Sequence, residues 1–246
     1  IATYVARHPA FHLKRIEVRG DLRHVTAPSV RSFVAGRFAG KRGNYFTMPL
    51  EHARAVFETV PWVAQASVRR VWPNRLRVTL TEHRALGVWS DGRLLSDQGE
   101  LFVANPDEAE IYGALPEFSG PDEVAKDAAR RYYELSAQLA PLSLRIDAID
   151  VSDRKAWSLR VSQANSEEIG ARASQSRIEL GRNSATGVDG KTANAQRVER
   201  IIAAYPMIVA QAGSLPTHID ARYVNSLSAA MPRKPSSPKP DRRSRQ

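Results

Sequence analysis

The sequence predicts an α+β protein of two regions: a three-stranded sheet with two helices, then a larger mixed β domain with flanking helices. Three observations predict it. Within the first 82 residues the apolar period runs strand, helix, helix, strand, strand. After Glu82 come short apolar runs divided by Asp91-Gly92 and Asp97-Gln98-Gly99, the pattern of a meander. Further on, two long stretches of helical period alternate with strand-like runs.

Residues 1–10 carry no clear period. Phe11 to Gly20 places Phe11 and Leu13 on one face, then Ile16 and Val18 after a one-residue slip, a strand with a bulge that ends at Gly20. Thr26 can cap a helix that starts through Pro28 and Ser29, with Val30, Phe33, Val34 and Phe38 on its apolar face. A second helix starts from Thr47 as N-cap with Pro49 in the first turn. Leu50, Ala53, Phe57 and Val60 form its face, and Pro61 ends it. Val63 to Val71 reads as a strand, Trp72-Pro73-Asn74 as a turn, and Arg75 to Glu82 as a strand with Leu76, Val78 and Leu80 inward.

In the second region, Gly87 to Ser90, Arg93 to Ser96 and Glu100 to Val103 are short strands. Asp122 to Leu139 reads as a helix; Leu144 to Val151, Trp157 to Val161 and Arg177 to Leu180 as strands. Thr192 to Tyr205 is a helix closed by Pro206. Ile219 to Tyr223 and Leu227 to Ala230 form a terminal strand pair.

Composition narrows the function. With no cysteine there is no disulfide, thiolate nucleophile or cysteine zinc site. The formal net charge is +10. The last residues concentrate it: Arg233, Lys234, Lys239, Arg242, Arg243 and Arg245 stand against Asp241 alone. Pro and Ser interleave them and no aromatic is present to stack a base, so a solvated tail over 232–246 is expected rather than a nucleic-acid binder. No apolar run reaches the roughly 18 residues of a membrane span, and the chain begins at Ile1, so a fragment is expected, with room for a signal or an anchor in an upstream segment.

Enzyme chemistry finds no support. The histidines (8, 12, 24, 52, 83 and 218) form no His-Glu-x-x-His motif. There is no Gly-x-Ser-x-Gly elbow, phosphate loop or dinucleotide fingerprint. Asp147, Asp150 and Asp153 lie on a strand and the turn after it, where alternate residues point to opposite faces. Trp62, Trp72, Trp89 and Trp157 are expected in packing roles. No catalytic residue, metal or cofactor is expected.

One stretch carries a family signature. Thr59-Val60-Pro61-Trp62-Val63, then Ala66 to Leu76 (ASVRRVWPNRL), then Val78 to Ala85 (VTLTEHRA) and Trp89 resemble the FtsQ/DivIB family. So do Leu95 to Val103 (LSDQGELFV), Leu115-Pro116, Ile178 to Arg182 (IELGR), the helix end Ile201 to Pro206 and Ile219 to Tyr223 (IDARY). The resemblance covers about residues 11–231 in order. Ala85-Leu86 stands where the family has proline, Ala164–Ser176 and Asn183–Ala195 look longer than its connections, and the strand after Tyr223 lacks its usual Gly and Trp.

The resemblance implies a juxtamembrane segment at 1–10, a POTRA domain at 11–82, an FtsQ-type β domain at 83–231 and a tail at 232–246. It implies a non-catalytic division scaffold, single-pass in the inner membrane, with this region in the periplasm at the septum. The family's β domain binds FtsB, which comes with FtsL, by adding a strand to its terminal strand. The matching positions are Tyr223, Asn225, Ser226, Leu227, Ser228, Ala229 and Ala230, with Arg154 or Lys155 as the basic partner of an acidic residue. Its POTRA domain docks FtsK, at positions matching Gln65, Val68 and Arg70. The competing class is another POTRA-bearing protein, one for polypeptide transport or outer-membrane assembly. Repeated POTRA units or a long barrel would mark it, and neither follows Glu82.

Overall fold

The computed structural model describes residues 15–38, 49–111, 113–164, 175–183, 192–213, 215–223 and 226–232. The expectations for 1–14, Thr47, Asn225, most of both long connections and nearly all of the tail lie outside these residues. The chain divides into two compact units, 1–115 and 116–246. Among the described residues no helix is long and apolar enough to cross a membrane.

The first unit holds a three-stranded sheet in the order β1 (Arg15–Arg19), β3 (Arg75–Glu82), β2 (Val63–Val71). β1 runs parallel to β3, and β2 antiparallel to it. The strict alternation of β3 buries Leu76, Val78 and Leu80 at 1%, 0% and 2% exposure, as the sequence pattern requires. Helices α1 (Ala27–Phe38) and α2 (Leu50–Phe57) supply the opposing apolar surface. Thr26 and Ser29 cap α1 reciprocally: each hydroxyl accepts the other's backbone N–H, at 3.2 and 3.0 Å. Pro49 occupies the N-cap of α2 rather than its first turn, and no side chain caps that end. Val56 joins Ala53 and Phe57 on the buried face.

The family-signature residues build this core. Glu82 is nearly buried, and its carboxylate accepts the backbone N–H groups of Arg23 (2.9 Å), His24 (3.1 Å) and Val25 (2.6 Å). One side chain therefore satisfies three donors of the loop leading to α1, and those of His24 and Val25 are part-buried, where a donor left unmet is costly. Trp62 stacks on His24 at 3.9 Å and donates Nε1–H to Glu108 at 2.7 Å. Phe102 packs edge-on against Trp62 and stacks on His83. Gly20 is required by close approach: a Cβ there would collide with the Leu80 carbonyl, and its φ is +152°. Strands β4 (Ala85–Trp89), β5 (Leu94–Ser96) and β6 (Leu101–Phe102) form the expected antiparallel meander. The short helix α3 (Pro106–Glu110), capped by Asn105, was not legible as a period.

Three of the four tryptophans are buried, but Trp72 is 74% exposed. The expectation of packing fails there because Trp72 lies in the β2–β3 turn, beyond the last strand pair Val71–Arg75.

The second unit holds strands in the order β12 (Ser228–Ala230), β11 (His218–Asp220), β10 (Gln175–Arg182), β9 (Ala156–Gln163), β8 (Leu144–Val151), β7 (Glu117–Ser119). β7–β8 and β10–β11 are parallel, and the other pairs antiparallel. Each parallel pair needs a helical crossover, supplied by α4 (Ala125–Leu139) and α5 (Ala193–Ala212). α4 packs on β8, α5 on β10, and the two helices touch, so both cover one face. α5 does not close at Pro206. It continues to Ala212 and ends on Gly213 in the left-handed conformation. Proline removes one N–H donor, and the packed face containing Val198, Ile201 and Tyr205, together with the C-cap seven residues later, outweighs that loss.

The face of this sheet away from α4 and α5 is polar and paired. Asp147 accepts from Arg145 (3.1 Å) and Ser162 (2.9 Å), Asp150 from Ser119 (2.6 Å), Glu117 from Arg160 (2.6 Å) and Glu179 from Arg177 (2.7 Å). Against the expected alternation, a bulge between Ile146 and Ala148 brings Asp147 and Asp150 to this same face, where each binds neighbouring side chains. Among the described residues no three His, Asp or Glu gather as a metal cluster.

Candidate partner-binding edge

β12 ends the sheet. It pairs with β11 through Ser228–Asp220, Ala229–Ile219 and Ala230–His218. No strand among the described residues pairs with its other side. Such an edge offers N–H and C=O groups at the spacing an extended peptide presents. Its side chains are small: Ser228 and Ala230 are exposed and Ala229 half-buried. Ser226 is exposed and Leu227 half-buried; Asn225 lies outside the described residues.

The segment leading to this strand is held from beneath. Asp220 chelates Arg222, whose Nη2 lies 2.6 Å from Oδ2. That guanidinium holds the Asp220 carboxyl below the usual carboxylate range. From α5, Arg197 donates to the carbonyls of Arg182 (2.7 Å) and Arg222 (3.1 Å), and Arg200 donates to the Tyr223 carbonyl (2.9 Å). Gly181, at φ +70°, lets Arg222 lie against the β10 backbone, where a Cβ would stand 3.1 Å from Arg222 Cγ. Tyr223 consequently has a fixed backbone and a side chain 63% exposed. The two helix arginines were missed at the sequence level. Their stretch reads as an ordinary solvated helix flank, and only the fold brings two backbone carbonyls into their reach.

Arg154 and Lys155 are exposed in the β8–β9 turn. Lys155 takes the left-handed conformation (φ 56°), and its N–H bonds the Ser152 carbonyl at 2.7 Å. Ala156 pairs with Arg182 of β10, and Arg222 lies against Gly181. The two cations therefore stand at the same end of the sheet as Tyr223, one strand removed. Lys155, with Asp153, Asp127, Arg131 and Trp157, lines a cleft of about 490 Å³ there. Arg131 lies 4.7 Å over the Trp157 ring, and burial pushes its pKa down.

The three positions of the first unit do not share a face. β2 is an edge strand, and Gln65 is exposed on the face away from the helices, opposite Thr81. Val68 pairs with Val78 on the covered face and packs against Leu50, Ala53 and Leu76. Arg70 follows on that face, half-buried.

Comparison with known proteins is consistent along the chain. The model of the FtsQ-type POTRA domain matches residues 11–83, and that of the C-terminal domain of cell division protein FtsQ/DivIB matches 87–222. Cell division protein FtsQ of Burkholderia pseudomallei is 38% identical over 225 residues, covering 92% of this chain and 82% of that protein. The FtsQ proteins of Bordetella pertussis and Nitrosospira multiformis are 33% and 34% identical, covering 93% and 90% of this chain and 82% and 84% of their own lengths.

Proposed function

The chain belongs to the FtsQ/DivIB family of cell division proteins, and on that premise we propose that it is a non-catalytic scaffold that captures FtsB, with FtsL, by strand addition at β12. The observation that carries the reading is the side of β12 left unpaired among the described residues, beside an exposed, backbone-fixed Tyr223. A fixed aromatic next to an open edge combines main-chain hydrogen bonding with one large contact, the composition of a binding hot spot. Ser226, Leu227, Ser228, Ala229 and Ala230 would lie along the added strand, and Asn225 before it. Arg154 or Lys155 would meet an acidic partner residue at that end of the sheet. Such a rim pair steers association and adds little affinity.

The same reading sets the chain outside a bacterial inner membrane, anchored by a single upstream helix, in the periplasm at the septum. Its POTRA domain (residues 11–82) would receive FtsK near Gln65, Val68 and Arg70, and the β domain (83–231) the later partners. Gln65 and the free edge of β2 are accessible, whereas Val68 would act by shaping the strand beneath.

Tyr223→Ala tests the site. The expected result is roughly thirtyfold weaker binding of an FtsB C-terminal peptide, as for a hot-spot aromatic worth about 2 kcal/mol, with unchanged thermal unfolding. Unchanged affinity would place the partner elsewhere.

A further inference from the structure

We propose that the β2–β3 hairpin tip and the two rows of the open sheet face nearest it rest on an anionic lipid surface, with Trp72 at headgroup level and Gln65, at the far end of the face, left clear. The strand register defines this face. Arg15, Val71 and Arg75 form the row nearest the tip; Glu17, Arg69 and Arg77 the next; Arg19, Ser67 and Thr79 the third. α1 and α2 cover the opposite side, where Leu76, Val78 and Leu80 are buried. Among the described residues, five arginines thus stand on the face away from the helices against one carboxylate. That carboxylate, Glu17, is already engaged by Arg19 (2.9 Å) and Arg77 (3.1 Å), which hold its pKa down.

Two further observations select a membrane. Trp72, 74% exposed, projects from the end of the sheet where Arg15 and Arg75 lie. Tryptophan beside basic residues is the pairing found at lipid–water interfaces. The second row of arginines lies about 7 Å further along the strands, within the roughly 8 Å over which a charged surface acts at physiological salt. β1 also runs away from the tip, since Arg15 pairs with Arg75, so the chain comes into the sheet from the tip side. A single-stranded nucleic acid would need successive aromatic platforms, and the face, from Arg15 to Thr81, carries none. The inference goes beyond partner capture at β12 and does not depend on it.

The test uses the full chain with vesicles of phosphatidylglycerol and phosphatidylcholine, and with pure phosphatidylcholine. Trp62, Trp89 and Trp157 are at most 5% exposed, so quenching by brominated phosphatidylglycerol reports Trp72, with Trp72→Phe as its subtraction. We expect quenching on the anionic vesicles alone. Arg15→Gln and Arg75→Gln should each weaken binding about fivefold and leave the FtsB-peptide affinity unchanged. Both are exposed and neither supports the core. Vesicle binding that survives both substitutions with Trp72 unquenched would assign the affinity to the basic tail and overturn the proposal. So would an absence of vesicle binding.

Discussion

In each unit the described helices cover one face of a sheet, and the opposite faces of the two units are built on opposite principles. In the second unit the open face is a set of matched pairs: Arg145 with Asp147, Arg160 with Glu117, Arg177 with Glu179. In the first unit Arg15, Arg19, Arg69, Arg75 and Arg77 face one glutamate. Matched charges satisfy one another and invite nothing, whereas an unmatched set carries a field that a partner can neutralise. Balance therefore marks the sheet face of the second unit as structural and leaves recognition to its edge, β12. Imbalance marks the face of the first unit as a surface for something anionic.

The difference can be broken from either side. If the first unit's open face contributes no stability, its polar stability must reside on the covered side. Glu82→Ala should then have the largest effect, about 3 kcal/mol or more in chemical denaturation, because three backbone donors lose their acceptor. Next, Asp147→Ala should cost about 1–2 kcal/mol by the same measurement, since Arg145 and Ser162 lose their shared carboxylate and keep only their bond to each other. Arg75→Gln should lie within about 0.5 kcal/mol of the parent. A cost for Arg75→Gln equal to that of Asp147→Ala would erase the distinction between the faces.

The smallest expected effect is on pH. Burial lowers the His83 pKa, against the opposing pull of Glu100 and Asp97. The unfolded chain then binds a proton more readily than the folded one, so stability is full above the ordinary histidine value of about 6.5 and falls as pH drops through it toward the folded value. The Asp220 and Glu17 carboxyls are also lowered, but their contribution is lost only below about pH 4. Melting temperature should decline as pH drops below about 6.5, and His83→Gln should flatten that decline.

Much of this was legible in the sequence, and unevenly. β2, β3 and β8 were readable to the residue because alternation and flanking turns define a half-buried strand from both ends. Pro206 misled because a proline stops a helix only when nothing downstream holds it. β7 is three residues long and shows no period, so Glu117–Ser119 could not be seen before its neighbour β8. At the candidate site, the terminal strand was readable from its place before the tail, whereas Tyr223 was singled out by the family resemblance alone. The Arg197 and Arg200 clamps were not, because a bond to a distant backbone carbonyl leaves no trace in composition or spacing. The arginine-rich face was hidden by a similar gap. Its residues come from three strands, and only the register puts Arg15 beside Arg75.

Amide hydrogen exchange at β12, with and without an FtsB C-terminal peptide, tests the scaffold reading most directly. Strand addition requires the backbone of Ser228 to Ala230 and its flanks to gain hydrogen-bond partners on the open side, so exchange there should slow on peptide binding while β8 and β9 stay unchanged. Peptide binding that leaves the amides of 226–230 exchanging at their free rate would contradict capture at this edge.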